Sequence, residues 1–257
     1  MSTQVQSPAS VKPTASASAS APRFDLYRMI HKTLRKQMFD TVYALGRVDV
    51  VDDLEFHAAL DSVNTLAEAC EHHLQKENNY VHPAMEARSP GSTRQILDEH
   101  FEHIEDIDFI RAEVTRIRGV ASEARAAETH RLYLHLTHFV ADNLKHMRHE
   151  ELEHNAVLWA KYSDAELMAI EQRIIANVAP EEMMAILKVA IPAIAHQERA
   201  AMLGGMKQSE MPRQAFEAVV QLAREGLATR DWDKLARAIG EAQVPGLVEI
   251  SDTSRSW

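Results

Sequence analysis

Two stretches of the sequence, His73-Leu-Gln-Lys-Glu77 and His146-Met-Arg-His-Glu150, each set a histidine four residues before a glutamate. On a helix, residues four apart share a face and lie one turn from each other, so each pair presents an imidazole and a carboxylate together. Both pairs also continue apolar stripes. A carboxylate turned toward a core is costly to bury unpaired, so the pattern asks for positive charge between the helices. A metal ion meets the requirement, because it accepts imidazole nitrogen and carboxylate oxygen together. The two pairs lie 73 residues apart, as they would if two helix hairpins had been repeated and faced each other across a pseudo-two-fold axis. Each hairpin then offers one more histidine from its first helix: His31 in the first, and His100 or His103 in the second. The candidate ligands are His31, His73, Glu77, His100, His146 and Glu150, with His103 as a possible seventh. Four imidazoles and two carboxylates suit iron, whereas a structural zinc site takes four ligands and usually employs cysteine. Two bridging glutamates imply two metal ions.

Histidine is abundant: there are 14, of which 12 lie between His57 and His154. His72, His82, His135, His138, His149 and His154 fall off the main stripes or near helix ends, and we expect them at the surface or as hydrogen-bond partners of ligands. Glu151 and Glu153 read as a solvated face. Cys70, one turn before His73, reads as a small buried residue. Tyr27 and Tyr80 flank ligand turns, where a hydroxyl can hydrogen-bond to a bound oxygen species.

The positioning elements are helices. Only 8 Gly and 9 Pro occur in 257 residues, and no Val/Ile/Thr-rich alternating run is present, which favours an all-α fold. From Phe24 onward apolar residues recur with a period near 3.6. The first stripe is Tyr27, His31, Leu34, Met38 and Leu45, and the second is Val63, Leu66, Cys70, His73, Glu77 and Val81, with His82-Pro83 near its end. The third is Ile96, His100, His103, Ile107, Ile110, Val114 and Ile117; the fourth is Leu132, Phe139, Asn143, His146, Glu150 and Val157. Breaks fall at Asp49 to Asp53, at Ser89-Pro90-Gly91 and at Gly119 to Glu123. Short loops between long amphipathic helices predict an antiparallel up-down-up-down four-helix bundle.

The bundle is expected over residues 23–162, after a Ser/Ala/Thr/Pro-rich tail (1–22) whose composition favours disorder. A smaller helical C-terminal region (163–250) and a short tail (251–257) follow. Ser163-Asp-Ala-Glu166 has the form of a capping box, Pro180, Pro192 and Pro212 punctuate the helices beyond it, and the last helix is expected around Trp232 to Ile239. Met168, Met183, Met184, Met202, Met206 and Met211 lie in this region. Methionine most often fills gaps in a core, and a methionine-rich surface for a protein partner is the alternative.

The net charge of −10 and the lack of a Lys/Arg block disfavour nucleic acid and anionic lipid as partners. A lone cysteine excludes an internal disulfide, the first twenty residues lack the apolar segment of a signal peptide, and no run of eighteen apolar residues exists. A cytoplasmic protein without a membrane span is expected. No nucleotide loop, G-x-S-x-G elbow or paired-cysteine motif supports phosphoryl transfer, serine hydrolysis or dithiol exchange.

Taken together, His31, His73-x-x-x-Glu77, Glu99-His100 and His146-x-x-x-Glu150-Glu151 resemble the hemerythrin-type HHE cation-binding domain, over residues 25–162. One departure is Ile96, which stands where animal hemerythrins place a further histidine. His103, one turn beyond His100, either replaces that ligand or hydrogen-bonds to one. The resemblance implies two iron ions, carboxylate- and oxo- or hydroxo-bridged, and binding of a small diatomic ligand, O2 or NO, in sensing, storage or detoxification. It also leaves open a di-iron oxidase or peroxidase, or an iron-delivery factor for repair of iron–sulfur clusters. In a third class, a metal-dependent regulatory module, the C-terminal region reports occupancy to a protein partner. A binding protein is favoured over an enzyme.

Overall fold

The computed structural model describes residues 23–242, so the two tails and the end of the expected C-terminal region lie outside the described residues. Among the described residues the secondary structure is entirely helical: α1 (Arg28–Arg47), α2 (Asp53–Lys76), α3 (His82–Arg88), α4 (Arg94–Arg118), α5 (Ser122–His149), α6 (Asn155–Lys161), α7 (Asp164–Ile175), α8 (Pro180–Ala193), α9 (His196–Gln208), α10 (Arg213–Gly226) and α11 (Thr229–Ile239). Two π-helical segments, Glu77–Val81 and Glu150–His154, join α2 to α3 and α5 to α6. None of the described helices is long and apolar enough to cross a membrane.

The local chemistry accounts for the boundaries. Asp52 caps α2 by accepting from the amides of Leu54 and Glu55, which satisfies donors that no helical carbonyl can reach. The capping box expected at Ser163 is formed with Glu166 and opens α7. Pro180 occupies the first turn of α8, where its missing N–H has no consequence. Gly91, in the turn between α3 and α4, has a φ of +83°, a region that side chains rarely enter. At Gly46 a Cβ would stand 2.8 Å from the Tyr133 ring, so the lack of a side chain sets how closely α1 approaches α5.

Helix α1 packs on α2 and α5, α2 on α4, and α4 on α5, which closes a ring of four long helices. Inside it lies the largest apolar cluster, including Leu34, Met38, Phe56, Leu66, Ile107 and Phe139. A second cluster, with Tyr27, Val81, Met85, Leu158, Leu167 and Ile170, fills the far end under α3, α6 and α7. The histidine–glutamate turns fall between the two. Along α1, for instance, Tyr27 belongs to the far cluster and Leu34 to the near one, with His31 between them. All the expected stripe positions of the first and third helices are buried. The fourth departs at its end, where His154 and Leu158 are buried and Val157 is only half-buried. The π-turn inserts one residue, and that advances the inward face by one position.

Helices α8 to α11 enclose their own apolar cluster around Leu187, Phe216, Trp232 and Leu235. Met183, Met184, Met202, Met206 and Met211 pack against it as gap fillers, and Met168 is exposed. This region meets the ring of helices through α8 on α1. An ionic clamp adds to the contact. Glu198 of α9 accepts from the Lys32 ammonium at 2.7 Å with both oxygens and from Arg28 Nε at 2.6 Å, while also reaching back to the Ala195 amide.

Burial would raise the Glu198 pKa, but Lys32, the Ala195 amide and Arg28 outweigh it and hold the carboxyl at about 2. A carboxyl held below its unfolded value of about 4.3 stabilises the fold above that pH and loses its contribution as pH falls toward 2. Because solvent screens part of the effect, Glu198→Gln should cost about 1 kcal/mol at pH 7. Thermal melts of both proteins should differ at pH 7 and converge as pH drops from about 4.5 to 2.5; a constant difference would remove the clamp.

Candidate metal centre

Each half of the site is built by one HxxxE turn and one histidine from a neighbouring helix. Helix α1 supplies His31, α2 supplies His73 and ends at Glu77, α4 supplies His100, and α5 supplies His146 and ends at Glu150. Glu77 and Glu150 are 3% and 0% exposed, and these two carboxylates lie at the centre of the arrangement. His73 Nε2 is 3.1 Å from Glu77 Oε1, and His31 Nε2 is 3.3 Å from Glu150 Oε2 and 3.9 Å from Glu77 Oε1. On the other side His100 Nε2 is 3.4 Å from Glu77 Oε2 and 3.9 Å from Glu150 Oε1, and His146 Nε2 is 3.5 Å from Glu150 Oε2.

Two groups result, His31–His73–Glu77–Glu150 and Glu77–His100–His146–Glu150, with both carboxylates common to both. The four Nε2 atoms and the four carboxylate oxygens are buried without hydrogen-bond partners. So many orphaned polar atoms in one place would destabilise a core by several kcal/mol unless a cation satisfies them. Donor atoms about 2.0–2.1 Å from an octahedral ion stand roughly 3 Å apart at right angles, close to the shorter separations observed. The residues of either group therefore fit a metal cation.

The opposite ring nitrogens fix the tautomers. His31 Nδ1 donates to Glu151 Oε1 at 3.0 Å, His146 Nδ1 donates to Glu99 Oε2 at 3.0 Å, and His100 Nδ1 lies 2.9 Å from Asn78 Oδ1. An Nδ1–H held by an acceptor directs Nε2 at the centre, where its lone pair is available to a cation once any proton on it is displaced. Glu151 is itself gripped by Arg35 through two bonds of 2.6 and 2.9 Å. It does not belong to a solvated face, as its position in the sequence suggested, but orients a ligand.

Electrostatics follow from the crowding. Burial lowers the His73 pKa to about 3, helped by the other imidazoles, which keeps its lone pair free. Burial also pulls His31 down, but the carboxylates of Glu150, Glu151 and Glu77 close around it win and raise it to about 10. Glu150 is pushed up to about 7 by burial and by Glu77 beside it. Glu77 is lowered despite its burial, because His73, His100 and His31 surround it.

His103 belongs to neither group. It is buried edge-on against His146, with 4.7 Å between ring centroids, and its Nδ1 has no partner. Cys70 is buried, its thiol pushed up to about 12 by burial, and it packs with the apolar cluster. Two histidines expected at the periphery lie instead at the centre. His82 and His154 are both buried, their rings are 5.7 Å apart, and with Glu150 they form a third group able to hold a cation. Tyr27 Oη lies 3.3 Å from His154 Nδ1. The π-turns explain why these two were missed, since His82 directly follows one such turn and His154 ends the other, and ordinary helical spacing puts them elsewhere. The only sequence signal was the second histidine following each HxxxE within five residues.

A helical fold with a buried, shared His/Glu set defines a metal-binding protein. The chain matches the hemerythrin HHE cation-binding domain family over residues 23–155, just over half its length, and belongs to that family. No curated protein and no solved structure gives a significant match.

His73→Ala and Glu150→Ala should each remove most bound metal, while Glu99→Ala should weaken affinity by about 10–100-fold through loss of ring orientation. Metal titration with a competing chelator would rank them; equal small effects would mean the cluster is not the site. Because His31 carries a proton at neutral pH, loading at pH 7.5 should release about one proton or more per chain, and affinity should fall as pH decreases. A pH-indicator dye in weak buffer measures this, and loading without proton release would contradict the raised His31 pKa.

Proposed function

We propose that residues 23–162 form an up-down-up-down four-helix bundle holding two iron ions. Glu77 and Glu150, common to both groups, would be shared between them, with His31 and His73 available to one and His100 and His146 to the other. The carrying observation is that both oxygens of each carboxylate are buried without partners and face imidazoles of both groups. Nitrogen-rich ligation of this kind suits iron over magnesium or calcium, which take oxygen donors. When bound there in reduced form, iron would supply electrons to a small diatomic ligand such as O2 or NO, and binding of that ligand is the function we assign.

The chain's own groups suit this role. Tyr27, His82 and His154 stand together beside the centre as polar residues in an otherwise apolar end of the bundle. Burial and the carboxylates of Glu150, Glu77 and Asp25 keep the Tyr27 hydroxyl protonated, so it remains a hydrogen-bond donor. The apolar clusters on both sides exclude bulk water.

A regulatory role has an observation of its own. Arg28 and Lys32, which flank His31 on α1, are the residues that Glu198 of the C-terminal region binds. Movement of α1 on metal loading would therefore be felt by α8 and α9. Protection of the C-terminal region from protease on loading would support this role, and turnover of peroxide would favour the enzymatic alternative.

Anaerobic reconstitution should give about two iron atoms per chain, and admitting air should produce a visible absorption band that reverses on removal of oxygen. Retention of a single zinc ion and no iron would overturn the di-iron assignment. A band that forms irreversibly, with catalytic consumption of oxygen or peroxide, would shift the function from binding to oxidation.

A further inference from the structure

The two faces of the centre differ in a way that the repeated motif does not require. On the α1 side a cleft of about 280 Å³ is lined by Asp25, Arg28, Lys32, Arg35 and Glu151. Every carboxylate there is already engaged. Glu151 is held by Arg35 and His31, Asp25 accepts from the Asn155 amide, and Glu198 at the rim holds Arg28 and Lys32. A cation approaching from this side meets three basic side chains and no unengaged acid.

On the opposite side a cleft of about 370 Å³ between α4 and α5 is lined by Glu99, Glu102, His103, Asp142, His146 and Glu153. Glu99 is the counterpart of Glu151, since each accepts from a ligand histidine, but its other partner is the Gln95 amide rather than an arginine. Lys145 and Arg148 also line the cleft; Lys145 is tied to Asp142 at 2.8 Å. Glu102 and Glu153 have no ion-pair partner among the described residues. The independent sign of a ligand is His103. It is 5% exposed, lines the cleft, and its Nδ1 is buried without a partner. A buried imidazole nitrogen with an unused lone pair, beneath unpaired carboxylates and against the ring of His146, is the donor set of a cation site one step outside the centre.

We infer that divalent cations reach the centre through the α4–α5 cleft, with Glu102 and Glu153 attracting the ion and His103 binding it in transit before His146 receives it. This inference rests on the metal-centre reading and adds a direction to it. Acidic walls raise the local concentration of a cation and speed its capture, an effect that salt screens. It also gives His103 a role that membership of either ligand group does not.

The test is the rate at which apo full-length protein takes ferrous ion from a coloured ferrous chelator under anaerobic conditions, followed by metal analysis at the end point. Glu102→Gln/Glu153→Gln should load about three- to tenfold more slowly at low ionic strength, with the gap narrowing near 0.5 M salt and the final iron content unchanged. Glu105→Gln/Asp108→Asn carries the same charge change on exposed positions of α4 outside the cleft and should load at the parent rate. His103→Ala should slow loading and leave the final content intact. Equal rates for parent and both double variants would overturn the route, as would a lower final content in His103→Ala, which would make it a resident ligand. Failure of the parent protein to retain any metal would sink the metal-centre reading and this route with it, an outcome distinct from full loading at equal rates.

Discussion

Two carboxylates at the middle of a helical core set the terms for everything around them. Glu77 and Glu150 are almost entirely removed from water, and desolvating each ion costs several kcal/mol unless opposite charge and hydrogen bonds return it. Four imidazoles approach them at 3.1–3.5 Å. Neutral imidazoles cannot balance two negative charges, and so many protonated ones in contact would repel each other. The crowding pulls the ordinary pKa values apart, raising His31 to about 10, lowering His73 to about 3 and raising Glu150 to about 7. Cations remove this conflict, so what stabilises the core and what makes it a site are one interaction.

The sequence carried much of this. The HxxxE spacing, the four stripes and the proline, glycine and capping positions each reflect local geometry that neighbouring residues determine. His31 and His100 were legible because they continue apolar stripes where no isolated histidine would be favoured. What failed to show depends on departures from regular spacing or on distant partners. The π-turns after Glu77 and Glu150 cannot be read from a pattern that assumes 3.6 residues per turn, and they alone bring His82 and His154 inside. Glu151 looked like an exposed acid because its partners, His31 and Arg35, are 120 and 116 residues away. The Glu198 clamp on α1 is hidden for the same reason.

Those distant partners also determine which parts of the chain must be assembled before the centre exists. Asn78, on the segment leaving α2, orients His100 of α4, while Glu151, on the segment leaving α5, orients His31 of α1. Each hairpin thus holds a histidine of the other in its ligating tautomer, and each supplies one of the shared carboxylates. A single hairpin would have a histidine–glutamate pair but no second carboxylate, and only the α4–α5 hairpin, through Glu99 and His146, would fix a ring from within. A metal bound to the complete set must therefore stabilise the docking of the two hairpins, because neither unassembled half offers equivalent ligands.

The π-turns give this assembly its polarity. Each begins at one of the two shared glutamates, so the helix widens at the residue whose carboxylate lies at the centre. The shifted register turns His154 toward Tyr27 and His82 against His154, and sets Val81 and Leu158 in the far apolar cluster. On the near side the same helices keep regular spacing and present mainly apolar residues such as Leu66, Cys70 and Phe139. One end of the centre is therefore sealed by packing and the other is furnished with polar groups. Polar groups able to hydrogen-bond beside the centre are therefore concentrated at the π-turn end, whereas the regular helices beyond it hold the four inward-facing stripes in register.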